Sequence, residues 1–254
     1  MPRPGQPAGN RQSPAERRRP ACDPGCSMVY FPASQQGQNM ELISVNIGGM
    51  RTQPKGDRVE ETGIYKLPTR EPVEITRLGI AADFIADAHN HGGPDQAIYV
   101  YGLKDYAWWS GALQQEFLPG TFGDNLTISD LESARFNIGD RLRMGSAVLE
   151  VTAPRTPCAT LARRMRDPMF VKKFRLAERP GLYCRVIQPG VVQTGDSVAI
   201  DYSVGAAAGV LELFREHYAR PKNEATLSRF LTAPIAARST ADIERDLLKL
   251  KAQA

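Results

Sequence analysis

The sequence has few of the signals that place a protein in a membrane or outside the cell. Its 254 residues contain no apolar run of roughly 18 residues or more, which a transmembrane helix requires. The first 39 residues also lack the apolar core of a secretory signal peptide, although Arg17, Arg18 and Arg19 form a short basic run. We therefore expect a cytoplasmic protein with no membrane partner.

Cysteine is scarce as well. The four cysteines, Cys22, Cys26, Cys158 and Cys184, are too sparse for a disulfide scaffold, so reduced thiols are expected. Cys22 and Cys26 form a Cys-x3-Cys pair, but a tetrahedral zinc site needs four ligands, and the nearest histidine along the chain is His89. This pair is therefore not expected to bind a metal.

The folded part of the chain also lacks a strong excess of one charge. The first 39 residues hold five arginines against Glu16 and Asp23, which accounts for +3 of the formal net charge of +4 and leaves +1. A single basic stretch follows, and it is interpreted as the solvated face of a helix rather than as a surface for phosphate or nucleic acid. Its members are Arg163, Arg164, Arg166, Lys172, Lys173 and Arg175. No nucleic-acid partner is expected.

Residues 1–39 are predicted to be disordered. They contain seven of the 19 prolines and no apolar periodicity, so they cannot bury enough surface to offset the entropy lost on ordering. Met40 directly precedes the first strand-like run, and Met28 or Met40 would be a better start than Met1. The segment is therefore interpreted as an over-called start.

Short strand-like runs predominate between residues 41 and 202. Their predicted ranges are 41–47, 73–78, 97–101, 147–152, 182–187 and 197–202. Helical stretches at 104–115 and 160–177 interrupt them, and Pro168 must kink or split the second stretch. This pattern is typical of a mainly β protein, an antiparallel β-barrel with peripheral helices.

The C-terminal part has a different pattern. Apolar faces at helical spacing predict three helices at 210–219, 224–231 and 241–250, with Pro221 and Pro234 between them. We therefore divide the chain into a barrel domain at 40–205 and a three-helix extension at 206–254. The extension is too small to be stable alone, so it is expected to pack on the barrel or on a second subunit of a homodimer.

Three loops carry the candidate chemistry, and each has a structural alternative. His89–Ala97 contains two glycines and a proline before a buried strand, which suits either an anion site or a tight turn with solvated histidines. Phe122–Leu126 is a glycine-anchored turn in which Asn125 could hold a ligand or cap the turn.

The third loop, Pro154–Cys158, presents a thiol near Arg155 from a backbone stiffened by two prolines. A nearby guanidinium favours the thiolate, which is the nucleophile and the metal ligand. The alternative is that Cys158 is a buried small apolar residue. Cys184 lies inside an apolar strand and is interpreted as a core residue.

Together the three loops resemble the MOSC family, named for the C-terminal domain of molybdenum-cofactor sulfurases. The matching elements are His91-Gly92-Gly93-Pro94-Asp95, Phe122-Gly123-Asp124-Asn125-Leu126 and Arg155-Thr156-Pro157-Cys158, in the family's order. The C-terminal helices resemble the extension of its stand-alone, YiiM-like branch. The resemblance covers about residues 41–252 and implies a mostly antiparallel barrel.

The resemblance also implies site residues. Cys158 matches the family's cysteine, which is proposed to carry sulfur in sulfurases and to ligate molybdenum in reductases. His91 and Asp95 are then expected to be catalytic with Cys158, while Asn125 and Gly123 are expected to bind the cofactor, molybdopterin. Cationic side chains suit its phosphate, for which the candidates are Arg155, Lys66 and Arg185.

Two departures from the family pattern stand out. Gln96 replaces the cation that often follows the His-Gly-Gly-x-Asp element, and Ala82-Asp83 replaces a Gly-Asp pair. One cationic anchor is therefore expected to be missing or to come from elsewhere in the chain.

Three functions remain open from the sequence. The first is an oxidoreductase that binds the molybdenum cofactor and reduces N-hydroxylated small molecules, with electrons from a separate protein, because no flavin or iron–sulfur motif is recognisable. The second is a sulfur carrier or cofactor-sheltering module that uses a Cys158 persulfide. The third is a non-catalytic interaction protein built around the helices and the basic stretch.

Overall fold

A computed structural model describes residues 40–252 of the chain. The predicted disordered segment, the proposed start at Met40 and the Cys22–Cys26 pair therefore concern residues outside the described part, and those expectations stay predictions. None of the helices in residues 40–252 combines the length and apolarity that a bilayer span requires.

The described chain forms thirteen strands. In order they are β1 (Met40–Ile47), β2 (Arg51–Lys55), β3 (Arg58–Thr62), β4 (Leu67–Thr69), β5 (Val73–Thr76), β6 (Gly79–Ile80), β7 (Ile98–Gly102), β8 (Leu126–Ile128), β9 (Arg141–Met144), β10 (Ala147–Pro154), β11 (Leu182–Gln188), β12 (Gly190–Val192) and β13 (Ser197–Asp201). The six predicted strands are all present. No ranges were predicted for the other seven strands, which are two to five residues long.

Seven of these strands close into a barrel. Their order is β13-β9-β10-β11-β7-β8-β1, and β13 pairs with β1 to complete the circle. β7 and β8 run parallel, whereas the other barrel pairs in the described chain run antiparallel. The predicted barrel is confirmed, with strands of mixed orientation.

The described helices lie around the barrel. They are α1 (Ala88–His91), α2 (Leu103–Leu113), α3 (Ala159–Arg164), α4 (Phe170–Ala177), α5 (Val210–Tyr218), α6 (Glu224–Phe230) and α7 (Ala237–Lys251). Pro168 falls between α3 and α4, as expected from the missing N–H and fixed φ of proline.

Two hydrophobic clusters lie on opposite faces of the central strands. Ile98 and Val100 of β7 belong to the aliphatic cluster inside the barrel, whereas Tyr99 and Tyr101 belong to an aromatic cluster under α2, α3 and α4. Side chains alternate between the faces of a strand, so a strand covered on both faces is apolar throughout. This explains the continuous apolar run of β7.

The C-terminal helices extend the barrel core. Val210, Leu227, Phe230 and Ile243 are buried in the same cluster as the barrel's aliphatic side chains. The described residues 40–252 accordingly belong to one compact unit. The extension is therefore stabilised by the barrel rather than by a core of its own.

Candidate functional site

The three predicted loops meet at one cavity of about 430 Å³. This volume lies within the range of roughly 300–1,000 Å³ that is typical of small-molecule and cofactor sites. The predicted residues that line the cavity are Lys66, His91, Gly123, Asn125, Arg155 and Cys158. Elements far apart in sequence thus form one site.

Cys158 follows β10 and is the N-cap residue of α3, and its side chain is partly buried. Burial alone would raise the pKa of its thiol. The hydrogen bond with the His91 side chain and the charge of Arg155 outweigh that effect and lower the pKa to about 6. Cys158 is therefore mostly thiolate at neutral pH, the form that binds soft metals.

Arg155 connects the second and third loops. Its side chain is only 4% exposed, and Nη1 donates a hydrogen bond of 2.5 Å to the carbonyl of Phe122. Its guanidinium lies 5.0 Å from the ring centre of Tyr99, and Nη2 lies 4.0 Å from Cys158 Sγ. Its buried Nε has no hydrogen-bond partner among the described residues. An unsatisfied buried donor beside a cavity is where a ligand acceptor would be stabilised.

Lys66 and Asn125 share a carboxylate that the sequence analysis did not select. Lys66 forms a buried ion pair with Asp83, and Asn125 donates 2.9 Å to the same Asp83 oxygen. The other Asp83 oxygen accepts from the Gly48 N–H at 2.7 Å. Burial lowers the pKa of Lys66, and Asp83 opposes that effect. The charge of Lys66 is thus already compensated by Asp83, and the main role of this pair is to fix the cavity wall.

Asp83 was mentioned in the sequence analysis but was not selected as a site residue. It was noted only because Ala82-Asp83 departs from the Gly-Asp pair of the family. A lysine at a motif-lined cavity needs a carboxylate partner when it is buried, because an unpaired buried charge is costly. Four carboxylates lie between Lys66 and the first loop, Glu71, Glu74, Asp83 and Asp87, so the sequence did not single out Asp83 as the partner.

His91 is positioned by a short capped helix. The Asp87 side chain accepts from the Asn90 N–H at 3.1 Å at the start of α1, and His91 ends that helix. Its Nδ1 lies 3.4 Å from the hydroxyl oxygen of Tyr183. His91 and Tyr183 are therefore neighbours of Cys158 in the cavity lining.

The backbone conformation at position 123 favours glycine. Its φ of 79° lies in the left-handed region, and an added Cβ would sit 3.0 Å from Ile64 Cγ1. The turn brings Asn125 into position, where its side-chain oxygen accepts from the Tyr99 N–H at 3.2 Å. Gly123 and Asn125 are thus both held in the cavity lining.

Asp95 and Arg185, expected to be a catalytic residue and a phosphate ligand, do not line this cavity and pair with each other. Arg185 Nε lies 3.1 Å from Asp95 Oδ1, and the Ala237 N–H donates 2.8 Å to Asp95 Oδ2. Arg185 also donates to the carbonyls of Pro234 and Ile235 at 3.1 and 3.2 Å. This pair therefore joins the barrel to the start of α7.

The cavity mouth contains cations that the sequence analysis did not assign to the site. Glu60 of the β2–β3 hairpin pairs with Arg163 of α3 and, at 3.0 Å, with Lys55. Burial alone would raise the pKa of Glu60, but its hydrogen bonds with Gln53, Lys55 and Arg163 lower it to about 2. The hairpin is thereby held against α3 as a wall of the cavity.

Arg238, in the first turn of α7, lines the cavity mouth as well. Its Nη1 lies 3.4 Å from the carbonyl oxygen of Asn90, and no carboxylate within the described residues pairs with it. The C-terminal extension thus contributes a cation with unused donors to the site. This is a candidate for the cationic anchor that Gln96 does not provide.

No group of three or more His, Cys, Asp or Glu side chains within residues 40–252 is placed to hold a metal ion. The thiolate, the unsatisfied Arg155 Nε and the cations at the mouth form a donor set that fits an anionic, metal-bearing cofactor.

Comparisons with known proteins agree with this geometry. A family model described as MOSC domain matches residues 87–199. The protein YflK of Bacillus subtilis (strain 168) is 32% identical over 195 residues, which are 77% of this chain and 88% of that protein. A protein named Reductase, from Gibberella moniliformis (strain M3125 / FGSC 7600), is 29% identical over 163 residues, 63% of this chain but 29% of that protein.

A solved structure has the same fold. The crystal structure of YiiM from Geobacillus stearothermophilus matches with a TM-score of 0.68 at 25% identity, and the match covers 82% of this chain and 99% of that chain. The matched part of this chain is therefore larger than the family model alone indicates.

Proposed function

Because the chain belongs to the MOSC domain family, which is associated with the molybdenum cofactor, we propose that it binds that cofactor through Cys158 and reduces N-hydroxylated small molecules. The observation that carries the proposal is the Cys158 thiolate, whose pKa is about 6, in the wall of a 430 Å³ cavity. The reductase name of one relative supports the reaction type, although this chain spans only 29% of that protein.

The cavity residues divide into three tasks in this proposal. Cys158 ligates the metal, and Asn125 and Gly123 shape the wall around the pterin. Arg155 offers its unsatisfied Nε, and Arg238, which pairs with no carboxylate among the described residues, supplies positive charge for the phosphate. When bound, the cofactor supplies a metal centre that accepts and passes on electrons, together with sulfur ligands of its own.

The reaction needs two electrons and two protons. Reduction of an N-hydroxylated compound breaks the N–O bond, leaves the amine or imine product and releases one water molecule. His91 and Tyr183, whose side chains lie 3.4 Å apart, are the groups placed to hold a proton next to Cys158. The electrons come from a separate protein, because the sequence contains no recognisable flavin or iron–sulfur motif.

The proposal predicts a specific metal content. Protein expressed in a host that makes the cofactor should contain about one molybdenum per chain and should reduce benzamidoxime when a chemical reductant is added. Protein from a host that cannot make the cofactor should have neither property. A folded protein without molybdenum from the first host would contradict the proposal.

The second candidate is a sulfur carrier with a Cys158 persulfide, which the same low thiol pKa supports. It predicts a mass increase of one sulfur on Cys158 after incubation with a persulfide donor, and no molybdenum. The two measurements on one preparation separate the candidates.

A further inference from the structure

We propose that the exposed side of α4 and of the turn before it is the docking surface for an acidic electron-transfer protein. This surface, called the basic face below, consists of Arg166, Met169, Lys172, Lys173, Arg175 and Leu176. The inference rests on the proposed function, because only a reductase of this kind needs an external electron donor. It assigns a role to the basic stretch that the sequence analysis interpreted as merely solvated.

The spacing of residues makes this a continuous surface. Met169, Lys172, Lys173 and Leu176 recur at intervals of three and four residues, which places them on one side of a helix. Phe170 and Phe174 lie on the other side and are buried. The basic face is therefore the solvent side of a helix whose inner side is firmly packed.

The composition of the basic face is typical of a transient protein interface. Met169 is 52% exposed and Leu176 is 70% exposed, so this face presents two large apolar side chains to solvent. Cations surround them, and a shallow pocket of about 230 Å³ lies beside Leu176, between α4 and α5. An apolar centre with a charged rim is the arrangement that protein partners bind.

The positive charge of this face is largely unpaired. Lys173 pairs with Asp167 at 2.7 Å, and Arg175 lies over the ring of Tyr218 at 4.4 Å. Neither Arg166 nor Lys172 has a carboxylate partner in the described part of the chain. An acidic partner would therefore be attracted and oriented by this face.

The basic face is linked to Cys158 through packed elements and does not use the cavity. Cys158 is the N-cap residue of α3, whose six residues span about 9 Å, and α3 packs on α4. Phe170, Phe174 and Cys158 all contact the same aromatic cluster. No residue of the basic face lines the cavity, so a docked donor would leave the mouth free for substrate.

A one-electron carrier with an acidic surface satisfies the electron balance. A small acidic ferredoxin carries one electron on its [2Fe–2S] cluster, so two successive dockings would oxidise two reduced clusters for each N–O bond broken. The two protons come from solvent, and water leaves. Nucleic acid is the other ligand that a basic face could bind, but it would leave exposed Met169 and Leu176 without apolar contacts.

The experiment compares two electron donors on the molybdenum-containing protein. Turnover of benzamidoxime is measured with a reduced acidic [2Fe–2S] ferredoxin and with dithionite-reduced methyl viologen, a small chemical donor. The test variant is Arg166→Glu with Lys172→Glu. The matched control is Arg70→Glu with Arg77→Glu, which reverses two exposed cations outside the basic face and the cavity lining.

The proposal predicts that the test variant loses about tenfold or more of kcat/KM with ferredoxin and keeps its turnover with the viologen. The control variant should match the wild type with both donors, and added salt should weaken only the ferredoxin reaction. Equal losses with both donors, or no loss with ferredoxin, would overturn the proposal.

Binding measurements separate this inference from the proposed function. Ferredoxin is titrated into each protein by calorimetry, and the Kd should rise about tenfold in the test variant alone. If the wild type shows no turnover with the viologen, the reductase function fails, and the Kd values still decide whether the face binds the donor. A test variant that loses affinity for duplex DNA but not for ferredoxin would assign the face to nucleic acid and overturn the proposal.

Discussion

Strand β11 carries two neighbouring side chains into two different environments. Tyr183 points to the polar cavity wall, where its hydroxyl lies near His91, whereas Cys184 points into the aliphatic interior of the barrel. Burial raises the pKa of the Cys184 thiol far above its usual value, while the groups around Cys158 lower the pKa of that thiol to about 6. The period-two alternation of a strand thus separates a reactive surface from an inert core.

The cavity wall and the barrel interior also differ in the interactions that stabilise them. The cavity wall is held by buried charges and hydrogen bonds around Asp83 and Arg155, and the interior is held by apolar packing. Removing one member of a buried charge pair leaves the other uncompensated, whereas an interior site responds mainly to volume and polarity. Substitutions in the cavity wall and in the interior should therefore differ in their effect on the free energy of unfolding and on the reactivity of Cys158.

The largest effect is expected at the cavity wall. Asp83→Asn removes the carboxylate that neutralises buried Lys66, and should lower the free energy of unfolding by about 3–5 kcal/mol. Urea unfolding at neutral pH measures this. The double variant Asp83→Asn with Lys66→Met should recover a large part of the loss, because it leaves no unpaired charge. A single variant as stable as the wild type would show that the pair does not hold the wall.

The two cysteines should differ strongly in reactivity. In cofactor-free protein at pH 7.5, iodoacetamide should modify Cys158 on the order of 100-fold faster than Cys184, because only Cys158 is accessible and mostly thiolate. Below pH 6 the Cys158 thiolate is protonated, so its rate should fall with a midpoint of about 6. Mass spectrometry of the individual peptides distinguishes these sites from Cys22 and Cys26. Comparable rates would remove the contrast between the two environments.

A smaller effect is expected in the interior. Cys184→Ser buries a hydroxyl in an aliphatic cluster and should cost about 1–3 kcal/mol of stability, with no change in the alkylation midpoint of Cys158. Cys158→Ser should cost less than this, because its side chain is only partly buried. Thermal unfolding of the two variants side by side gives the comparison, and the reverse ranking would contradict it.

The smallest effect is expected at the Asp95–Arg185 pair. Arg185→Gln breaks a partly exposed contact between the barrel and α7 and should cost about 1 kcal/mol or less. Reductase activity should stay within about twofold of the wild type, because Arg185 does not line the cavity. A loss of cofactor in this variant would instead support the expected role of Arg185 in cofactor binding.

Much of this site could be predicted because its loops are marked by short sequence motifs. Glycine and proline at fixed positions mark the turns that carry His91, Asn125 and Cys158, and the closed barrel brings those turns together. The apolar strand around Cys184 likewise predicted that it is a core residue, as the structure shows.

Other parts of the site depend on partners that are distant in sequence. The contacts of Asp83 with Lys66 and of Glu60 with Arg163 join segments that no local pattern connects. Arg185 and Asp95 had suitable chemistry, but their pairing with each other and with α7 turns them away from the site. The β2–β3 hairpin has too few apolar residues to show a strand period.

The most direct test of the proposed function is the molybdenum content of two matched variants, Cys158→Ser and Cys184→Ser, purified from a host that makes the cofactor. Serine replaces the soft thiolate of Cys158 with a hard, mostly protonated ligand, so that variant should contain almost no molybdenum while remaining folded. Cys184→Ser should keep the molybdenum content of the wild type. Full molybdenum in Cys158→Ser, or its loss from a well-folded Cys184→Ser, would contradict the assignment of Cys158 as the metal ligand.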